Sequence, residues 1–202
     1  MAVNMKRIIA DALLSLSEER PLRKITINDI IQKSGTARQT FYNHFSDKND
    51  LIYWIYLHTL AGEHRLVETQ GYYYYLVNLF QEAQKISNFL SQACKLTGQN
   101  CLSDTLYHQN YNYYRKFITE HYGEEALTEE VDYALQFNAS GASYVYMKWL
   151  LSGAPDPVEK QAMLTLRCMP DIIRSFLPLG ISQEQLNGNQ PDDINIVYSS
   201  TA

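Results

Sequence analysis

The chain has 202 residues, 46% of them hydrophobic and 19% charged, a composition that excludes a largely disordered protein. Its formal charge of −5 gives no support to nucleic-acid binding through a globally basic surface. The charge is uneven, because residues 1–50 contain eight Lys or Arg and six Asp or Glu, whereas the remainder contains nine and sixteen. A mildly basic head on an acidic body favours two parts with different partners.

The cysteines argue against a metal-binding or disulfide-stabilised protein, and the short apolar runs argue against one that spans a membrane. Cys94, Cys101 and Cys168 have neither CxxC spacing nor a neighbouring histidine, so we expect reduced thiols and no metal or cofactor. The longest uninterrupted apolar run, residues 51–57, is far too short to cross a membrane. We therefore expect a cytoplasmic protein without a membrane partner.

Four helices are predicted in the first 62 residues. Apolar residues at helical spacing predict a first helix that ends before Pro21. Thr26 and Asp29 form a capping-box-like start for the second helix, which Gly35 ends. Thr36 repeats that start signal for a third short helix, and a fourth follows.

Longer amphipathic helices follow, and apart from the short run 194–198 no segment shows the period-two alternation of a strand. The helices are predicted at 72–97 with an interruption near Ser87, at 102–122, at 129–152 and at 157–177. The fold should therefore be all-α, with about nine helices.

Two short helices around Gly35 match a helix-turn-helix, whose second helix enters the major groove of DNA. Phe41 and Phe45 lie four residues apart and should face the core of this unit. The motif consists of the segments ITINDII at 25–31, SGT at 34–36 and TFYNHFSDK at 40–48. Over about residues 4–58 the chain resembles the DNA-binding domain of the TetR/AcrR family of bacterial transcription regulators. Residues 38–42 and 50–56 also look like the branch that includes regulators of dihydroxyacetone-kinase operons.

The resemblance implies a sequence-specific regulator that binds a palindromic operator as a homodimer. We assign residues 1–48 to the helix-turn-helix domain and residues 49–178 to a larger domain for effector binding and dimerisation. Residues 179–202 should form a loosely packed tail, because their composition is polar and rich in turn formers. The resemblance also implies a small-molecule effector of unknown identity, which releases or engages the operator.

Residues 36–44 alternate between core anchors and side chains suited to DNA. Arg38 can donate to guanine O6 and N7, Gln39 can pair with adenine, and Thr40 can touch a base edge or a thymine methyl. These three residues are our candidates for base readout. Thr36 is a further candidate contact and, like Thr26, a predicted helix cap.

Other polar residues should hold the phosphate backbone. In the family, the positions of Tyr42, His44 and Lys48 commonly do so, and Thr26 adds a hydroxyl beside the free N–H groups of a helix start. Tyr42 and His44 could alternatively complete the packing of a small three-helix core. Asn28 and Asn43 are equally consistent with DNA contact and with a solvated surface.

By resemblance, the last two long helices should form a four-helix interface with a second copy. Small residues beside large anchors suit close helix approach, although an ordinary intramolecular core is the alternative. The candidate interface residues are Ala142, Tyr146, Trp149, Leu166, Met169 and Ile173.

Sixteen tyrosines are an excess, and many lie in the central part of the chain. A cavity walled by aromatic rings with hydroxyl tips would suit a mostly apolar ligand with a few polar groups. The candidate effector residues are Phe80, Phe89, Tyr107, Tyr111, Tyr114 and Phe137, each of which could instead fill the core.

An enzyme is not expected, because the histidines and carboxylates of the body form no recognised catalytic spacing. The alternative function is a helical protein-interaction adaptor, or an activator controlled by a co-regulator without a small-molecule ligand of its own.

Overall fold

The computed structural model describes residues 4–60, 64–98, 101–155 and 157–188, and these contain twelve α-helices and no strand. The helices are α1 (Met5–Glu19), α2 (Ile27–Ser34), α3 (Arg38–His44), α4 (Lys48–Leu60), α5 (His64–Thr69), α6 (Tyr72–Lys85), α7 (Ser87–Ala93), α8 (Leu102–Tyr122), α9 (Glu129–Leu151), α10 (Val158–Cys168), α11 (Asp171–Arg174) and α12 (Gln183–Asn187). Short 3₁₀ turns span Leu22–Lys24 and Glu124–Ala126. The all-α prediction is confirmed.

The described part of the chain has twelve helices where about nine were predicted, because one predicted helix is divided in two and two short helices were not expected. The segment 72–97 contains α6 and α7, which meet at Ile86, beside the expected interruption. The segment 157–177 breaks at Pro170, because proline has no N–H to donate and crowds the preceding turn. Two short helices, α5 and α12, were not expected.

The DNA-binding unit packs α1, α2 and α3 around a small apolar core that includes the fully buried Ile30, Phe41 and Phe45. The inward orientation predicted for the two phenylalanines is thus confirmed. The capping box of Thr26 and Asp29 begins α2 as expected, and Gly35 ends it in the left-handed region with φ of +66°.

The prediction that Thr36 caps α3 is wrong, because the residue before that helix is Ala37, which makes no side-chain cap. The backbone N–H of Thr36 donates instead to the carbonyl of Ile31 and closes the end of α2. Its hydroxyl lies 2.9 Å from the hydroxyl of Ser34. Thr36 therefore belongs to the end of one helix and not to the start of the next.

In the larger body, α8 packs along α9, and α6 packs along α10. The start of α6 has no side-chain cap, and the N–H groups of Tyr72 and Tyr73 donate to the carbonyls of Pro178 at 2.7 Å and Leu179 at 3.1 Å. Gly71 allows this crossing, because a Cβ there would lie 2.4 Å from the Cα of Gly180. The segment after α11 thus completes the start of α6.

The part of the tail that the structure describes is packed on the body, whereas a loose tail was predicted. Residues 183–187 form α12, which Ser182 caps and which packs on α10 through the buried Leu186. Arg167 anchors it by donating from Nε to the Leu186 carbonyl at 2.7 Å. Residues 189–202 lie outside the described part of the chain.

None of the described helices is long and apolar enough to cross a membrane. Among the same residues, no group of three or more His, Cys, Asp and Glu side chains is placed to hold a metal ion.

Candidate nucleic-acid interface and ligand cavity

The exposed side of α2 and α3 brings most of the predicted DNA-binding side chains together. Thr26, Asn28, Arg38, Gln39, Tyr42 and Asn43 are exposed there, whereas Thr36, Thr40, His44 and Lys48 are half-buried. The exposed fraction of Tyr42 is 42%, although the edge of its ring also packs against Phe41. The alternative in which Tyr42 only completes the core does not fit this exposure.

Arg38 is held in place by contacts within the chain. Its Nη1 donates to Oδ1 of Asn28 at 2.7 Å, its Nη2 lies 3.4 Å from the hydroxyl of Tyr42, and its guanidinium lies 5.4 Å from the centre of the Tyr42 ring. These contacts use part of the guanidinium's set of N–H donors. The remaining donors stay on the exposed side of α3, where a guanine edge can accept them.

Gln39 and Asn43 form a second pair, one turn apart on α3. Nε2 of Gln39 donates to Oδ1 of Asn43 at 2.9 Å. Both side chains are exposed, so the pair presents an amide edge to whatever the helix contacts.

The start of α2 carries a carboxylate that is held in its charged form. Asp29 accepts from the backbone N–H of Thr26 at 2.8 Å and from its hydroxyl at 2.7 Å, and Oδ1 lies 2.9 Å from Nη2 of Arg20. The hydrogen bonds from Thr26, and then the bond and charge of Arg20, lower the pKa of Asp29 to about 2. Thr26 therefore uses its hydroxyl within the capping box, and only other N–H groups of the first turn remain for a phosphate.

Lys48 has a structural position at the start of α4. Its Nζ donates to the carbonyls of Leu22 at 3.0 Å and Ile25 at 2.8 Å, which joins α4 to the 3₁₀ turn before α2. Partial burial lowers the pKa of its ammonium group. One N–H remains for a phosphate.

A cavity of about 450 Å³ lies in the body of the chain. Helices α4, α6, α8, α9 and α10 contribute to its walls. Of the predicted effector residues, Phe80, Tyr114 and Phe137 line the cavity. Sequence reasoning missed most of its tyrosines, which are Tyr56, Tyr72, Tyr75, Tyr113 and Tyr146.

Three predicted effector residues do not line the cavity. Phe89 is buried in the core on α7. Tyr107 and Tyr111 lie on another side of α8, where their rings stack and the hydroxyl of Tyr111 donates to Asp132. The spacing of α8 contained the missing signal, because its lining residues follow one helical stripe: Leu106, Gln109, Asn110, Tyr113 and Tyr114.

The predicted interface residues are mostly inside a single chain. Tyr146, Trp149, Leu166, Met169 and Ile173 are at least nine-tenths buried, and Ala142 is half-buried in the cavity wall. They are core and cavity residues, because the two long helices turn these side chains toward neighbours in the same chain. The large apolar side chains that α9 and α10 expose are different ones, which we call the α9–α10 face: Tyr133, Phe137, Tyr144, Val145, Leu151 and Leu164.

Comparisons with known proteins agree with this architecture. A family model described as "Bacterial regulatory proteins, tetR family" matches residues 9–53. A second, described as "Transcriptional regulator C-terminal region", matches residues 72–171. The two matches fall on the DNA-binding unit and on the body that contains the cavity.

Two curated relatives each match a limited length of the chain. The chain is 33% identical over 69 residues to the HTH-type dhaKLM operon transcriptional activator DhaS of Lactococcus lactis, a match that covers 34% of this chain and 35% of that protein. It is 48% identical over 44 residues to the uncharacterized HTH-type transcriptional regulator YvdT of Bacillus subtilis, which covers 22% and 23% respectively. The matches thus span about a third or less of either relative.

A solved structure shares the fold over most of the chain. The dihydroxyacetone kinase operon activator DhaS superposes with a TM-score of 0.58 at 21% identity, over 87% of this chain and 99% of that one. Regulators, and no enzyme, account for these family models, relatives and solved structure. The chain therefore carries the helix-turn-helix of the tetR family of bacterial regulatory proteins at residues 9–53 and the C-terminal region of a transcriptional regulator at residues 72–171.

Proposed function

We propose that two copies of this chain bind a palindromic DNA operator and that a small molecule in the cavity of each copy controls this binding. Residues 1–48 would bind DNA, and residues 49–178 would bind the effector and the second copy, in the cytoplasm on nucleoid DNA. The observation that carries the proposal is the position of Arg38, whose guanidinium is held on the exposed side of α3 by Asn28 and Tyr42.

In this proposal Arg38 reads a guanine, and Gln39 and Thr40 read neighbouring bases. A bidentate contact from arginine to guanine discriminates by about 1–3 kcal/mol against a wrong base. The hydrogen bonds of Asn28 and Asn43 support a positioning role, since each accepts from a readout residue. Tyr42, His44, Lys48 and the first turn of α2 contact phosphates, with Thr36 at the margin of the interface.

The second copy is required because one helix-turn-helix makes few base contacts. A symmetric pair places two recognition helices about one helical turn of DNA apart, or a multiple of it. The α9–α10 face supports pairing, because large apolar side chains there are well exposed, with Phe137 at 69% and Tyr144 at 60%. In the proposed dimer, the α9–α10 face replaces the interface residues predicted from the sequence, which are buried in the core.

The path from cavity to DNA runs through α4. Tyr56 of α4 lines the cavity, and the hydroxyl of Tyr53, one turn earlier, donates to Oε1 of the cavity residue Gln109 at 2.8 Å. The same helix begins at Lys48, which holds the turn before α2. A ligand that prefers one position of α4 would therefore shift the population of DNA-competent dimers.

The effector either releases the dimer from the operator or promotes its binding to the operator. The relative DhaS of Lactococcus lactis is named an activator, which favours engagement. A partner protein in place of a small molecule is the second candidate, because the α9–α10 face offers exposed apolar area to any protein.

Selection of bound duplexes from a random pool, with the full chain, tests the proposal. We expect an inverted repeat whose half-site centres lie about 10 base pairs apart or a multiple of that distance. Sedimentation should give a dimer at micromolar concentration. A monomer, a motif with a single half-site, or no salt-dependent binding to any duplex would overturn the proposal, and the last result would favour the adaptor.

A further inference from the structure

The walls of the cavity carry no charge. Within the part of the chain that the structure describes, no Asp, Glu, Lys, Arg or His lines it. Burial also raises the pKa of Tyr114 to about 12 and the pKa values of Tyr72 and Tyr146 well above the usual 10, so these hydroxyls stay neutral. Because an ion buried without a counter-charge is strongly disfavoured, the walls exclude a charged ligand.

The walls are also rich in aromatic side chains. The rings of Tyr75 and Tyr113 are nearly parallel, with centres 5.8 Å apart, and Phe80 meets Trp149 edge to face at 5.0 Å. Such surfaces favour apolar and flat groups through dispersion and ring stacking. The main body of the ligand should therefore be apolar.

Two buried hydroxyls of α9 lack the partner that such groups normally have. Among the described residues, neither Oγ of Ser143 nor the hydroxyl of Tyr146 has a hydrogen-bond partner, although these residues are only 5% and 8% exposed. Other hydroxyls of the same region are paired, since Tyr72 bonds to Tyr114. Ser143 and Tyr146 lie three residues apart, on one side of the helix, and both line the cavity.

We propose that the cavity binds an uncharged, largely apolar molecule with a carbonyl or hydroxyl oxygen, and that Ser143 and Tyr146 hydrogen-bond that oxygen. The inference rests on the effector role proposed above and adds the chemical class of the ligand. One oxygen can accept from both hydroxyls, because each carries a donor hydrogen. The apolar remainder fills the space between the aromatic side chains.

Three fluorescent probes of one size class separate these requirements. Nile red is uncharged and carries a carbonyl oxygen, N-phenyl-1-naphthylamine is uncharged and has no oxygen, and 1-anilinonaphthalene-8-sulfonate is an anion. The full chain with Trp54→Phe keeps Trp149 as its single tryptophan. Since Trp149 lines the cavity, quenching of its emission reports binding near α9, and the Ser143 and Tyr146 variants assign that binding to the cavity.

We expect Nile red to quench Trp149 with at least a tenfold lower Kd than the anion. Tyr146→Phe and Ser143→Ala should each weaken Nile red binding by about three- to tenfold, the range for loss of one hydrogen bond, and leave the affinity for the oxygen-free probe unchanged. Tyr107→Phe is the matched control, because it removes a hydroxyl from another side of α8. Circular dichroism and thermal melting of every variant verify the fold.

Each contrary result has a separate meaning. Tighter binding of the anion, or unchanged Nile red affinity in both hydroxyl variants, overturns the ligand class and leaves the effector role standing. If none of the three probes quenches Trp149, the ligand class and the effector role are both overturned. Operator binding, measured on the same samples, tests the DNA-binding part independently.

Discussion

The side-chain oxygen of Gln92 accepts a hydrogen bond from the backbone N–H of Leu22 at 2.7 Å. Gln92 lies in α7 of the body, and Leu22 begins the 3₁₀ turn of the DNA-binding unit. The amide nitrogen of the same side chain lies 3.5 Å from the carbonyl of Ser17 at the end of α1. One glutamine thus joins the two parts of the chain at backbone groups.

Replacing this glutamine should destabilise the protein. In Gln92→Leu the N–H of Leu22, whose residue is fully buried, loses its acceptor, and the free energy of unfolding should fall by about 1–3 kcal/mol. Urea titration followed by circular dichroism measures the change. Gln92→Glu keeps an acceptor oxygen and should lose less, and an equal loss in both variants would contradict the role of the hydrogen bond.

Removal of the Arg38 guanidinium should weaken specific DNA binding. We expect Arg38→Ala to lose about 1–3 kcal/mol of binding free energy on the selected operator and to relax the preference at one base pair. Fluorescence anisotropy with operators changed one base pair at a time measures both effects.

The partner of Arg38 provides a graded comparison. Asn28→Ala leaves the guanidinium present but removes its 2.7 Å contact, so it should weaken binding less than Arg38→Ala and keep the base preference. Arg7→Ala is the control, because that arginine pairs with Asp11 on α1. Equal losses at all base positions for Arg38→Ala would reject base readout.

Loss of the Lys48 ammonium should affect both folding and DNA binding. Lys48→Ala leaves the carbonyls of Leu22 and Ile25 without this donor, and the free energy of unfolding should fall by about 1–3 kcal/mol. Affinity should drop similarly for all DNA sequences, and the slope of log K against log salt should decrease by about one. Titrations at three salt concentrations check this, and an unchanged slope would limit Lys48 to its structural role.

The Asp29 carboxylate should make stability depend on pH in the acid range. Its folded pKa of about 2 lies below the usual 3.8, so the stabilisation is present above pH 4 and is lost as the pH falls from 4 to 2. Asp29→Asn should be less stable than the wild type at pH 7 and should lose less stability across that window. Thermal melting at closely spaced pH values tests this expectation, which parallel curves for the two proteins would contradict.

A charge on the α9–α10 face should separate the proposed dimer. Tyr144 is 60% exposed on that face, so Tyr144→Lys should give a monomer in sedimentation and weaken operator binding without unfolding the chain. Tyr74→Lys is the control, because Tyr74 is 44% exposed on α6. A dimer that persists in Tyr144→Lys would place the contact elsewhere.

Local signals predicted much of the DNA-binding unit. A capping box depends on two residues three apart, and a left-handed helix end depends on one glycine, so Thr26, Asp29 and Gly35 could be assigned from the sequence. The burial of Phe41 and Phe45 followed from their spacing. In each case the deciding interactions lie within a few residues of one another.

The cavity depends on contacts between distant residues, and here prediction was poorer. Tyr111 and Tyr114 have the same side chain on the same helix, yet only Tyr114 lines the cavity, because its hydroxyl meets that of Tyr72 on α6, whereas the hydroxyl of Tyr111 donates to Asp132 on α9. The predicted interface residues lie inside the chain for a related reason. An apolar side of α9 satisfies the same pattern whether it packs inside the chain or against a second copy, and only the positions of α6 and α10 distinguish the two.

The crossing of Gly71 and Gly180 also sets an order for folding during synthesis. The ring contacts of Phe41 and Phe45, with each other, with Tyr42 and with Trp54, lie within the first 55 or so residues, so this core can form early as the chain is made. Helix α6, which lines the cavity, gains the acceptors for its first N–H groups only when Pro178 and Leu179 arrive, about a hundred residues later. The DNA-binding unit can therefore fold during synthesis before the body that contains the cavity is complete.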